Sequence, residues 1–377
     1  MANLGQWDFI SNTKIAEIVR VLADELEHNQ KLTFLARTPV TDVFSNDEIF
    51  ARYKASGYAA DIIALDQKVA VYNEGPAFEF VQNVAAKFKD SAKMSEEDIQ
   101  KAWGLSQVGT GQVQAFFENW LMSKSDEMLR GIRQRINHTI VSMHIDSLNY
   151  NRYSVDLRTV NWGMPSGLKA TSGVTWDDLT NSTPISDLEL MVSEVAPDNF
   201  GELYDRITMG NKAFNYLVKS AEFRARYRGE IRYAFGTNEI NTADKAGLRQ
   251  ALASMLNCEI EVTTESFQEK NSDGTSTRKT YLPDNKVVFS TRSNDNDPSV
   301  MDFANGVPTE SIAGSMAGKA GFTGPQHGPI AYTEVNEQLN PPTVVVYAAA
   351  YGWPRKKRAT STAVLTVGTA GVGPWVG

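Results

Sequence analysis

At 377 residues the chain exceeds what one small core needs, so two domains or one extended irregular one are expected. A formal charge of −8 argues against a protein whose main task is gripping phosphates, and no run approaches the ~18 uninterrupted apolar residues of a membrane helix. The single cysteine, Cys258, leaves neither an internal disulfide nor a cysteine-based zinc site; with no secretion signal in MANLGQWDF, the expected setting is a reducing cytoplasm.

Residues 1–10 have no pattern and predict a flexible arm. Ser11, Asn12 and Thr13 then offer caps to a helix whose apolar face is Ile15, Ile18, Val19, Leu22 and Leu26, and Thr38-Pro39-Val40 ends regular structure. From Tyr58 to Phe88 the pattern changes to strand. Ala60, Ile62, Ala64, Val69 and Val71 alternate imperfectly with Asp61, Asp66 and Lys68. Asn73-Glu74-Gly75-Pro76 then supplies a turn, and Phe78, Phe80 and Val81 open a second strand. A hairpin with so little chain to cover it is marginal in water, which predicts that it lies on something else, a neighbouring subunit being one candidate.

Ser95-Glu96-Glu97-Asp98 is a capping-box-like start to a short helix through Trp103, and Gly109-Thr110-Gly111 breaks the chain. Gln112 to about Asn149 reads as one helix, with Leu129, Ile132, Ile136, Ile140, Met143 and Leu148 on one stripe and Lys124, Asp126, Glu127, Arg130, Arg133, Gln134 and Arg135 on the other side. At 1.5 Å per residue it spans roughly 55 Å, and because Phe116, Phe117 and Trp120 break the heptad it is a strut rather than a coiled coil. Residues 150–176 alternate (Tyr153, Val155, Leu157, Val160, Trp162) around a polar stretch from Ser166 to Thr175, and an amphipathic helix runs from Ile185 to about Val195.

Residues 200–257 have an α/β pattern: a strand at Leu203–Met209 and helices at Lys212–Lys219 and Lys245–Leu256. Cys258–Thr263 alternates and predicts a hairpin that turns at Asn271-Ser272-Asp273-Gly274 and returns over Arg278–Leu282. Leu282-Pro283-Asp284-Asn285 turns into Val287-Val288-Phe289, and the last strands are Val344–Ala348 and Ala363–Val367. The glycine-rich segment 314–328 is the nearest approach to a linker.

No catalytic, cofactor or metal site emerges. Ala313–Ala320 resembles a phosphate loop at a glance, but Ala313 stands for its first glycine and Ala320 for its magnesium-binding hydroxyl, so a mobile loop is expected. His138 and His144 are six apart on the strut and point to different faces. Asp295-Asn296-Asp297 lacks the spacing of a calcium loop and predicts a solvated one. Asn137-His138-Thr139 and Asn181-Ser182-Thr183 match glycosylation acceptors but follow no signal peptide. Trp103, Trp120, Trp162 and Trp176 are core or interface anchors. Arg355-Lys356-Lys357-Arg358, the only dense basic cluster, suits nucleic acid, an acidic patch on another copy, or a solvated turn.

Thr280-Tyr281-Leu282-Pro283-Asp284-Asn285-Lys286-Val287-Val288 resembles the major capsid protein of lambda-like tailed phages. In the order that family requires, the Tyr58–Phe88 hairpin resembles its extended loop and the strut its spine helix. Val155-Asp156-Leu157, Trp176 and Pro184-Ile185-Ser186-Asp187-Leu188 resemble the start of its axial domain, and Pro341–Tyr347 its closing strand. The likeness covers roughly residues 50 to 370, and the departures are the first 50 residues and the basic Arg355–Arg358. It implies an α+β, Hong Kong-97-type capsid fold: an N-terminal arm over 1–49, an extended loop over 50–92, a peripheral domain over 93–184 and 329–377 carrying the spine helix 112–149, and an axial domain over 185–328.

The implied function is a non-enzymatic shell protein without cofactor, assembled in the host cytoplasm into hexamers and pentamers of an icosahedral virion head. Its implied partners are itself, a scaffold, a portal, a decoration protein and double-stranded DNA held without sequence specificity; no membrane is implied. The lysine–asparagine crosslink of some relatives has no matching constellation here. Two rivals are a shell protein of a cellular encapsulin-like nanocompartment, told apart by protein cargo, and an α/β enzyme, told apart by a deep pocket.

Overall fold

The computed structural model of the chain describes residues 32–43, 47–53, 78–84, 86–106, 110–152, 155–160, 162–198, 203–231, 245–270, 275–316, 327–336 and 343–368. The expected arm, the helix after it, the Asn73–Pro76 turn and the Asn271–Gly274 turn lie outside these residues.

In chain order, a 3₁₀ turn at Leu35–Arg37 leads into β1 (Val40–Asp42). A strand therefore starts at Val40, where the sequence predicts an end of regular structure, because β1 runs parallel to a strand some 260 residues away that no local pattern reveals. β2 (Asp47–Tyr53) pairs antiparallel with β3 (Phe78–Val84), Asp47 opposite Val84 and Tyr53 opposite Phe78. The strand at Phe78 is as expected and pairs with Asp47–Tyr53, while the expected first strand over Ala60–Val71 lies outside the described residues. β4 (Ala86–Lys93) follows, then α1 (Glu96–Ser106), capped where the Asp98 N–H donates to Ser95 Oγ at 3.1 Å.

α2 (Thr110–His144) is the strut, 35 residues and roughly 52 Å long. It stops short of the expected Asn149. Asp146 takes a left-handed φ of 50°, and its carboxylate accepts the Trp162 N–H at 2.6 Å, which turns the chain into β5 (Leu148–Arg152). β5 forms a hairpin with β6 (Val155–Val160). β7 (Lys169–Thr171) falls inside the predicted polar loop. It is a strand because it runs parallel to a late strand whose first four residues are buried.

α3 (Pro184–Leu190) opens on a proline and continues through a π-turn at Met191–Val195. Then come β8 (Arg206–Gly210), α4 (Asn211–Lys219), α5 (Ala221–Ile231), α6 (Lys245–Leu256), β9 (Glu259–Thr263), β10 (Ser266–Lys270) and β11 (Ser276–Thr280). The predicted Cys258–Leu282 hairpin divides. β9 joins β8 in parallel, and the antiparallel hairpin is β10 with β11. The last elements are β12 (Lys286–Ser290), β13 (Met301–Gly306), α7 (Thr309–Met316), β14 (Ile330–Asn336), β15 (Thr343–Lys356) and β16 (Thr362–Thr366).

Two five-stranded sheets organise these elements. In the first, β1, β13, β15 and β14 follow in order, and β4 pairs with the other edge of β15. The second runs β7-β16-β12-β8-β9. In β12, Val287, Val288 and Phe289 are all buried, a continuous apolar run that requires cover on both faces. The chain passes between the sheets from β12 to β13 and again from β15 to β16. Gly352 is needed where β15 crosses β13: a Cβ there would lie 2.5 Å from the Phe303 ring. The first sheet's inner face and α2 share one core with the second sheet, and Trp162 and Trp176 are fully buried in it as expected. Burying each such side chain contributes about 2–3 kcal/mol.

Candidate assembly elements and the internal charge network

For a chain with no predicted reaction centre, the candidate surfaces are those its own fold leaves unpaired. β2 and β3 form a sheet of two strands and pair with no other described strand. Among the described strands β10 and β11 also pair only with each other, but they are anchored on α2. There Phe267 is buried against the His138 ring at 5.3 Å, and Arg135 donates to Glu269 at 2.8 Å while Lys279 also pairs with Glu269. Burial opposes ionisation of Glu269, but its two cations prevail and hold its carboxyl down at about 2.

The outer face of the first sheet carries a second feature that sequence reading missed. Lys87 and Lys89 of β4 converge on Glu310 of α7, and Lys89 lies 4.8 Å from the Tyr347 ring centre, itself stacked on Tyr332 at 5.2 Å. Lys87 lies over Tyr351 at 5.2 Å. The available signal was the alternation of Lys87, Lys89, Ser91 and Lys93, which puts them on one strand face.

The dense basic cluster is not a solvated turn or an accessible patch. Arg355 and Lys356 end β15 and are buried. Arg355 forms a two-pronged pair with the fully buried Asp302 of β13, with Nε at 2.7 Å from Oδ1. Lys357 reaches the same carboxylate at 3.1 Å and the Pro298 carbonyl at 2.8 Å. Lys356 donates to Thr362 Oγ1 at 2.6 Å. The cationic run is used inside the subunit, because the antiparallel register of β13 and β15 sets Asp302 opposite Arg355.

Asp295, expected in a solvated loop, is likewise committed. The Arg206 guanidinium donates to both its oxygens at 2.8 Å and to Glu259 at 3.1 Å. Burial works against the Arg206 charge, but those carboxylates outweigh it and raise its pKa. Arg37 pairs with Glu261, and the Asn296 N–H donates to the Arg37 carbonyl at 2.8 Å, so the segment before β1 is fixed to the second sheet.

The histidines of α2 are both buried. Burial and the Arg135 charge lower His138 to about 3, and burial with Lys356, Arg37 and Arg206 lowers His144 to about 3. Both rings are neutral at physiological pH. Asn137, in the glycosylation match, is fully buried. Of the phosphate-loop look-alike, residues 313–316 belong to α7, and 317–320 lie outside the described residues. Burial, with Asp205 nearby, raises the Cys258 thiol. Among the described residues no three His, Cys, Asp or Glu side chains are placed to hold a metal, and no helix is long and apolar enough to cross a membrane.

A family model described as phage major capsid protein E matches residues 74–296, more than half of the chain. No curated protein sequence matches. Among solved structures, a protein described as a prophage capsid protein of Escherichia coli CFT073 superposes with a TM-score of 0.58 at 13% identity, covering 95% of this chain and 99% of that one. A phage-related protein of Bordetella bronchiseptica RB50 gives 0.46 at 13%, over 92% and 96%. The capsid of Myoviridae phage XM1 gives 0.42 at 12%, over 90% and 93%.

Proposed function

Starting from the premise that this chain belongs to the phage major capsid protein E family and is a capsid shell protein, we propose that its copies form hexamers and pentamers of an icosahedral head around double-stranded DNA, without catalysis. The observation that carries the proposal is the β2/β3 ribbon, which pairs with no other described strand. Two strands alone are marginal in water, and a ribbon laid on the next subunit makes a head-to-tail contact that closes into rings. Repeated around a shell, such contacts assemble cooperatively even where each is weak.

The domain division that suits this role is an arm over 1–49, an extended loop over 50–92, a peripheral domain over 93–184 and 329–377 built on α2, and an axial domain over 185–328. β13 is lent to the peripheral sheet, and β7 and β16 are lent to the axial one. Assembly takes place in the host cytoplasm, with a scaffold, a portal and a decoration protein as partners. DNA is held without sequence specificity. The net charge of −8 and the inward commitment of Arg355–Lys357 support this, because a lining of free cations would condense on phosphates and impede packing.

The register supplies the test. Tyr53 stands opposite Phe78, so replacing residues 54–77 by Asn-Gly closes the ribbon with a two-residue turn. The shortened chain is expected to keep the circular dichroism of the full one and to show no shells by negative-stain microscopy. Normal particles from it would overturn the proposal, and wild-type particles holding a protein cargo instead of DNA would point to a cellular compartment.

A further inference from the structure

Residues 32–43 touch both sheets. The Thr33 N–H donates to Glu265 at 2.7 Å, and Arg37 pairs with Glu261 beside the second sheet. Three residues on, β1 pairs in parallel with β13 of the first sheet, the Phe303 N–H donates to the Pro39 carbonyl at 2.8 Å, and Asn305 Nδ2 donates to Asp42 at 2.9 Å. Between these two anchorages Phe34, only 2% exposed, lies on the His144 ring with centroids 4.9 Å apart. His144 ends α2, where the strut meets both sheets, and neither of its ring nitrogens has a hydrogen-bond partner.

We infer that residues 32–43 form a clasp holding the two sheets at fixed separation, and that His144, sealed beneath Phe34, makes the clasp release on acidification. The charged groups facing the ring are Arg37 from the clasp, Lys356 from β15 and Arg206 from β8, all cationic. Burial penalises the charge most, and those cations add to it with no carboxylate among them to welcome a proton, which is why the ring stays neutral down to about pH 3 while the clasp is closed. Opening the clasp admits water and returns His144 towards an ordinary histidine near 6.5. Protonation therefore favours the open form, and the opening equilibrium rises about tenfold for each pH unit between roughly 6.5 and 3. At the other anchorage His327 Nδ1 lies 3.2 Å from the Asn305 carbonyl and 3.9 Å from Asp42.

Hydrogen–deuterium exchange of the full chain, read by mass spectrometry on peptides covering 33–38, tests this. After correction for intrinsic rates, exchange there is expected to be about tenfold faster at pH 5.5 than at pH 7.5. His144→Phe and His144→Gln should each abolish the acceleration, and His138→Gln, which alters the other buried ring of α2, should leave it in place. Using two His144 variants covers the case in which one fails to fold. Equal protection at both pH values in the wild type overturns the inference, as does a tenfold acceleration that survives in a folded His144 variant.

Discussion

Asp302 shows how one residue can fix the fate of a whole charged segment. Its carboxylate is fully buried and receives Arg355 and Lys357, so three formal charges form one satisfied group between β13 and β15. A buried pair contributes little compared with an apolar pair of equal volume, yet removing one member leaves a desolvated charge. Asp302→Ala is therefore expected to destabilise the chain by about 3–5 kcal/mol, measured by urea unfolding. Asp302→Leu combined with Arg355→Met should recover most of that loss. If the single variant lost less than 1 kcal/mol, Arg355 would not depend on this carboxylate.

Among the elements, α2 was the most legible, and its far end the least. The recurrence of Leu129, Ile132, Ile140 and Met143 on one stripe sufficed to find it, and all four are buried. That stripe continues in spacing to Leu148, so periodicity alone extends the helix too far. What stops it is tertiary: Trp162, 16 residues on, donates its N–H to Asp146. The same distinction separates the other readings. α6 and β12 were visible from local pattern, whereas β1, β7 and the pairing of β2 with β3 depend on strands that no local pattern joins. Asp146→Ala should cost about 2–4 kcal/mol, combining a left-handed alanine with an unpaired buried N–H. Asp146→Asn should cost less than half as much, since asparagine tolerates that backbone and its carbonyl can accept the same hydrogen bond. Equal losses in the two variants, read by equilibrium unfolding, would mean that the terminus is fixed by something else.

Across the whole molecule, the ionisable groups held inside the core make the fold acid-sensitive. His138 and His144 both fall from 6.5 in the unfolded chain to about 3 in the folded one. The unfolded state thus binds these protons first. Stability is intact above pH 6.5, falls as the pH drops towards 3, and levels off once both states are protonated. Between pH 7.5 and 5.0 each histidine should cost about 2 kcal/mol, about 4 kcal/mol together. Glu269, held down at about 2, adds a loss of the same sign only below its ordinary 4.5, outside that window. Urea unfolding of the disassembled chain at pH 7.5, 6.0 and 5.0 should therefore show a declining midpoint, and His138→Phe with His144→Phe should flatten it. A wild-type midpoint unchanged across these three pH values would show that the two rings are not sealed from water in the folded chain, and the polar interior of α2 would then need a different explanation.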